Sequence, residues 1–201
     1  MGTVFTSMAV SLDGFVAGPG QSLELPFGRG VDDRLHRWMF EQPDENRAEL
    51  DAMAAAGAVV MGRNMFGPVR GGWETHDEWR GWWGDEPPYH APVFVLTHHP
   101  RVPLVMEGGT TFTFVTAGIE VALDLARAAA GDADVSIAGG AATVNHYLAA
   151  GLIDELRLHV APVTLGEGER LFDGVGPLRL EPLETRGNEL VSHLRYHVVR
   201  D

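Results

Sequence analysis

Apolar residues fall in short dense runs along this chain, and the spacing between them changes from one run to the next. Residues 3–10 are rich in β-formers and predict a buried first strand, broken by Ser11-Leu12-Asp13-Gly14. Residues 31–41 have helical spacing, with Leu35, Trp38 and Met39 on the core side. Asn46 is placed to cap a second helix running to Ala56, with Leu50, Met53 and Ala54 inward and Gly57 as its stop. Residues 58–61, 93–96, 111–115 and 135–138 predict further strands. Residues 118–130 predict a helix with Val121, Leu125 and Ala128 on one face, and 141–150 another.

After Gly151 the pattern changes. Leu156, Leu158 and Val160 alternate with Arg157, His159 and Ala161, the signature of antiparallel pairing. Two strand-like runs follow, 178–185 and 190–200, split by the turn Arg186-Gly187-Asn188-Glu189. Leu190, Leu194, Tyr196 and Val198 share a face in the last run. The economical fold is α/β: one domain over 1–201, a central mixed sheet flanked by helices, and a C-terminal antiparallel hairpin. Between 67 and 92 the chain is rich in Gly, Pro and Trp, with Trp73, Trp79, Trp82 and Trp83. Inserts of this length without periodicity are usually functional or mobile.

Composition narrows the function. The 201 residues carry a formal charge of -13, which repels nucleic acid and anionic membranes. Cysteine is absent, so no thiolate zinc site and no thiol nucleophile is possible, in keeping with a cytoplasmic protein. No stretch reaches the roughly 18 apolar residues of a membrane span. His98 and His99 are adjacent and face apart. His193 and His197 lie about 13 Å apart on a strand, so neither pair suits a metal. A small-molecule ligand is the remaining class.

The most informative stretch runs from Ser136 through Gly139, Gly140, Ala141, Ala142 and Thr143 to Leu148. A strand, two glycines and a helix start together make a cradle for phosphate, because backbone approaches closely and unpaired N–H groups point at the turn. Two other predicted strands also end in anion-compatible residues, Gly62-Arg63 and Thr97-His98. In α/β sheets ligands sit at the carboxyl ends of strands. Three such ends suit a ligand with several phosphates, such as a dinucleotide. Asp13 is either the turn residue of an Asp-Gly pair or a group at the reactive end of that ligand.

Several ordered pieces carry a family resemblance: Ser11-Leu12-Asp13-Gly14, Val60-Met61-Gly62-Arg63, Val95-Leu96-Thr97, Ile137-Ala138-Gly139-Gly140-Ala141, Gly151 to Leu158, Pro162 to Gly166, and Leu171-Phe172. In this order they resemble the dihydrofolate reductase-like family, in the branch of the riboflavin-biosynthesis reductase domain. The resemblance implies an NADPH-dependent reductase. Gly62 and Arg63 would lie at the adenosine-phosphate side, and Thr97 and His98 near the 2′-phosphate. Gly139, Gly140 and the N–H groups of Ala141, Ala142 and Thr143 would hold the pyrophosphate. It also implies a cis Gly-Gly peptide and a homodimer, the latter supported by a sheet edge that needs covering. Met65 stands where relatives often have Thr. Asp32 and Asp33 do not match the register of the carboxylate that folate reductases carry on their first helix, so dihydrofolate is not the expected substrate. The alternative is a nucleotide-binding protein of the same fold without turnover.

Overall fold

The computed structural model describes residues 2–31 and 33–200, which leaves Asp32 outside the described residues. The first half holds β1 (Val4–Ser11), β2 (Phe15–Ala17), α1 (Arg37–Glu41), α2 (Arg47–Ala54), β3 (Ala58–Gly62), α3 (Arg63–Phe66), β4 (Pro92–Leu96) and β5 (Leu104–Val105). The second holds β6 (Thr111–Val115), α4 (Ile119–Ala130), β7 (Val135–Gly139), α5 (Ala141–Ala149), β8 (Glu155–Ala161), β9 (Glu169–Arg170), β10 (Arg179–Gly187) and β11 (Ser192–Val199).

Nine of the strands form one sheet in the order β10-β11-β8-β1-β7-β3-β4-β6-β5. The six from β8 to β6 run parallel. At one flank β11 and β10 are antiparallel, and at the other β5 is. This is the mixed sheet with a C-terminal hairpin that the patterning predicts. Alternation in β8 has a double origin: the strand is parallel to β1 and antiparallel to β11. β2 and β9 form a separate short ladder that the patterning does not reveal.

Buried on both faces, β3 reads as a continuous apolar run. One face of the sheet presents Val4, Val60, Ile137 and Leu156 to α4 and α5, with Leu123, Val144 and Tyr147 filling the interface. The other presents Phe5, Val59, Met61, Val95 and Phe112 to α3 and to the Trp-rich insert.

Three helical expectations need correction. Of residues 31–41 only Arg37–Glu41 is α-helical; before it the chain makes tight turns, Arg34 N–H to Val31 O and His36 N–H to Asp33 O. Leu35 and Trp38 are nevertheless buried as the spacing requires. In α4 the inward stripe is Ala122, Leu123 and Ala126, whereas Val121 and Leu125 are exposed. Glu120, Asp124 and Arg127 confine the charge of that helix to one stripe and leave a wide apolar arc, only part of which faces inward. α2 buries none of its own residues, and Ala54 faces solvent.

Asn46 does not cap α2 with its side chain. It is fully buried, and its Nδ2 donates to the carbonyls of Trp38 and Gln42 at 3.1 and 2.7 Å. Its Oδ1 meets Nε2 of His193 at 2.8 Å, and Nδ1 of His193 meets Nδ1 of His159 at 2.7 Å. Nε2 of His159 lies 2.7 Å from Ser7 Oγ. The Trp38 ring packs on both imidazoles, at 4.8 and 5.1 Å between centroids. A buried polar chain thus ties α1 and α2 to β1, β8 and β11, and it is this that holds a helix with so little apolar burial.

At the sheet edge β10 is mostly exposed, but Pro182 and the register shift beside it interrupt the ladder. Both are devices that discourage edge-to-edge pairing, so this edge does not itself call for a second copy.

Burial pushes the His159 imidazole down to about 3, helped by His193, Arg157 and His36. Burial likewise pushes His193 down to about 4, with Arg186 adding to it. Unfolded histidines titrate near 6.5, so below that value the unfolded chain binds more protons than the folded one. Stability is therefore fully present above the ordinary histidine value and falls with pH toward the folded values. The slope is at most about 1.4 kcal/mol per pH unit for each ring. Urea unfolding across this range should show the loss, and a His159→Gln/His193→Gln double variant should lessen it, leaving the share of His36, which burial also pushes down to about 4. A parent profile level from neutrality down to about 4 would contradict the buried neutral pair.

Candidate functional site

Neighbouring strands β7, β3 and β4 bring Gly139-Gly140, Gly62-Arg63 and Thr97-His98 to one rim of the sheet. The three motifs are far apart in sequence. Parallel pairing alone makes them adjacent.

The Gly139-Gly140 peptide is cis. Gly139 has φ +122°, a conformation that favours glycine, and lies against Met8 and Met65. Gly140 has φ -70° and stands at the N-cap of α5. A Cβ on Gly140 would meet no protein atom within 4 Å. It would project into open space before the helix N-terminus, where the N–H groups of Ala141, Ala142 and Thr143 have no partner in their own helix. Gly62 serves packing: a Cβ there would fall 2.2 Å from Thr143 Oγ1, so only glycine lets the end of β3 meet α5. Beside α5 a groove of about 400 Å³ is lined by Ala141, Ala142, Asn145, His146 and Arg170. Asn145 shapes it, donating to Arg170 O at 3.0 Å and accepting from Phe172 N–H at 2.8 Å.

Arg63 opens α3. Its guanidinium lies over the Trp73 ring, 3.9 Å from the centroid, and Nη1 donates to Gly71 O at 2.6 Å. Nε and Nη2 are buried without a partner. Arg101, which the sequence pattern does not single out, lies over the same ring at 4.9 Å. Its Nη2 donates to Asp77 O, and its Nη1 is buried and unpartnered. Burial first, then Arg70 and Arg101, draws the Arg63 pKa below the ordinary arginine value. Burial draws Arg101 the same way. Glu74 and Asp77 act in the opposite sense. Buried donors left without acceptors are costly, and a bound anion would satisfy them.

The insert assembles this arrangement. Trp73 is buried between Phe66 and Phe114, and its indole N–H donates to His99 O at 3.0 Å. Trp82 and Trp79 donate to Met65 O and Phe66 O, the last carbonyls of α3. The 67–92 segment is thus an aromatic brace for the Arg63 turn. Thr97 is buried, with Oγ1 accepting from His99 N–H at 3.2 Å, and His98 is exposed beside it. Met65 packs on Gly139 and offers no polar contact.

Asp13 lies at the other end of the rim. Its carboxylate accepts from Ser11 Oγ at 2.5 Å, Gly166 N–H at 2.7 Å and Leu165 N–H at 3.1 Å. The Ser11 hydroxyl first, then the two N–H groups, holds its pKa down at about 2. As an ionised acceptor it staples the loop after β1 to the loop after β8, beside the β2–β9 ladder. It has no proton to give. The sequence also gives no hint of the Ser7–His159–His193–Asn46 chain, because its members lie on four separate elements.

Among known proteins, the family model described as the RibD C-terminal domain matches residues 2–192. A Shewanella sp. PV-4 protein named for riboflavin biosynthesis superposes with TM-score 0.66 at 24% identity, covering all of both chains. The Thermotoga maritima diaminohydroxyphosphoribosylaminopyrimidine deaminase/5-amino-6-(5-phosphoribosylamino)uracil reductase gives 0.58 at 15%, covering 98% of this chain and 57% of that one. Enterococcus faecalis dihydrofolate reductase, complexed with NADP(H), gives 0.55 at 18%, covering 98% and 96%. At these identities the superpositions establish the fold.

If Trp73 carries both guanidinium groups, truncating it should loosen the whole turn. Trp73→Ala should lower stability by about 3–5 kcal/mol, the usual cost of emptying an aromatic site. Trp73→Phe, which keeps a ring but loses the bond to His99, should lower it by about 1 kcal/mol. Urea denaturation measures both. Equal, small effects would show that the ring is peripheral.

Proposed function

The chain belongs to the RibD C-terminal domain family, and on that premise we propose that it is an NADPH-dependent reductase acting on a small heterocyclic or carbonyl-type substrate. The observation that carries the proposal is the cationic turn on Trp73. Three guanidinium N–H-bearing atoms, Arg63 Nε and Nη2 and Arg101 Nη1, are buried there without partners. Such a turn fits a phosphate monoester better than a neutral ribose. Arg63 and Arg101 would hold the 2′-phosphate, with Thr97 and His98 flanking it. Gly62 keeps the β3 turn close to α5, and Gly139 shapes the cradle before it. There Gly140 and the N–H groups of Ala141, Ala142 and Thr143 would take the pyrophosphate. When bound, the dihydronicotinamide supplies a hydride, and the protein supplies position and exclusion of water.

Asp13 serves this reading as a positioning residue that fixes the loop between β1 and β2. Its ionised state also supports a second reading, in which the fold binds the nucleotide without turnover. NADPH absorbance with oxidised pterins, ribosylaminopyrimidines and simple carbonyls separates the two: binding without oxidation across the panel favours the second.

Fluorescence titration tests the cofactor. Arg63→Ala should weaken NADPH by roughly tenfold or more, the value of a charge-assisted contact, and leave NADH nearly unchanged. Equal losses for both would show that Arg63 does not read the 2′-phosphate. Gly140→Ala should abolish dinucleotide binding with the fold intact by circular dichroism, since its methyl meets no protein atom. Gly151→Ala is the control. With φ +66° at the end of α5 it should lose about 1 kcal/mol of stability and keep its affinity. Parent-like NADPH binding by folded Gly140→Ala would reduce the Gly-Gly turn to a structural feature.

A further inference from the structure

A second concavity, of about 150 Å³, opens between α2 and the strands β1, β8 and β11. Ser7, Glu49, Arg157, His159 and Arg195 are among its walls. Ser7 sits on the same face of β1 as Phe5, two residues along from the point where Phe5 pairs with Ser136 of β7. Thr6, the residue before Ser7, donates its hydroxyl to Ile137 O at 2.8 Å, two residues before Gly139. The cleft therefore borders the proposed cofactor rim.

Hydrogen-bond polarity along the buried chain is fully determined. Asn46 Nδ2 faces two carbonyls, so its Oδ1 must be the atom facing His193. His193 therefore carries its proton on Nε2 and donates it to Asn46. A neutral His193 then has a bare Nδ1, which accepts from Nδ1–H of His159. A neutral His159 in turn has a bare Nε2, which accepts the Ser7 hydroxyl proton. Every polar atom is satisfied with both rings neutral, and no other neutral assignment satisfies them all. Burial keeps both rings neutral at physiological pH, with Arg157, Arg186, Glu184, Glu49 and His36 as the charged or titratable groups facing them.

Ser7 has a single hydroxyl proton, and the chain takes it. Its Oγ presents only lone pairs to the cleft. Beside it, paired with Ser7 across β1 and β8, Arg157 is a pure donor. Its Nε is held by Glu155 at 2.6 Å and its guanidinium lies 3.8 Å from the Phe5 ring centroid. Among the described residues its Nη groups have no hydrogen-bond partner.

We propose that Ser7 is a specificity-determining residue whose acceptor-only character is imposed by the His159–His193 pair, so that the cleft takes a planar ligand offering an N–H next to a carbonyl oxygen. The N–H meets Ser7 Oγ and the oxygen meets Arg157. The inference rests on the reductase reading only in calling that ligand the substrate; the polarity of the cleft does not depend on a nucleotide.

The test uses the whole chain without nucleotide. Long-range proton–nitrogen NMR at neutral pH should show His159 as the Nδ1–H tautomer and His193 as the Nε2–H tautomer. Succinimide at millimolar concentration should shift the His159 ring signals. N-methylsuccinimide, which lacks the N–H, should bind at least about fivefold more weakly, as expected for an acceptor left unpaired. In Ser7→Ala, checked for fold by circular dichroism, that discrimination should vanish. An Nε2–H tautomer at His159, equal affinities for the two imides in the parent, or no succinimide response would each overturn the assignment. Discrimination retained in a protein that fails to bind NADPH would remove the reductase reading and leave this cleft standing.

Discussion

The molecule depends on parallel pairing at the centre of its sheet. With β8, β1, β7, β3, β4 and β6 all pointing the same way, their carboxyl ends lie along one rim. Such a sheet is buried on both faces and needs crossovers. α4 and α5 provide them on one side. The other side is built from short helices and irregular chain. Everything polar at the rim follows from the register. Gly139, Gly62 and Thr97 become neighbours because their strands do, and Gly62 lets the β3 end touch α5 at Thr143.

Irregular structure on the second face is held by means other than helix packing. The insert has no regular element, so its backbone must find partners elsewhere. Indoles supply several. Trp73 is buried and Trp79 and Trp82 half-buried, and each donates its one N–H to a backbone carbonyl. Aromatic area supplies the stabilisation and the single donor supplies direction. Seating two arginines on the Trp73 face follows from the same economy of parts. A planar cation stacked on a ring keeps its edge donors free in the plane, which is what recognition of an anion requires.

Much of this was legible in the sequence because it is local. Buried runs gave the central strands, alternation gave the flank, and the glycine turns gave the rim. Where the sequence misleads, the reason is physical. The apolar arc of α4 is wider than its buried stripe, so spacing alone does not separate Leu123 from Val121 and Leu125. Asn46 precedes a helix and reads as a cap, yet tertiary context turns its amide inward to join a chain that no local spacing encodes. Arg101 lies four residues past Thr97 in a loop, and only the position of Trp73 gives it a role. Asp13 in an Asp-Gly pair is equally consistent with a turn and with chemistry, until Leu165 and Gly166 from the far end of the chain are seen to bind it.

Two regions on the Phe5 face of the sheet differ in charge. Around Trp73 the side chains are cations with unpaired donors, although the whole chain carries -13. Around His159 the cations Arg157 and Arg195 are matched by Glu155 and Glu184, and the imidazoles are neutral. In a strongly acidic protein, positive charge available to an anion has to be concentrated locally. Seating Arg63 and Arg101 on the Trp73 ring does this, with Glu74 and Asp77 of the insert acting on them in the opposite sense. A neutral, directional pocket has the opposite need: its selectivity comes from hydrogen-bond polarity, which a net charge nearby would overwhelm. Pairing the arginines of that pocket with glutamates keeps the Ser7 acceptor the dominant feature of its surroundings.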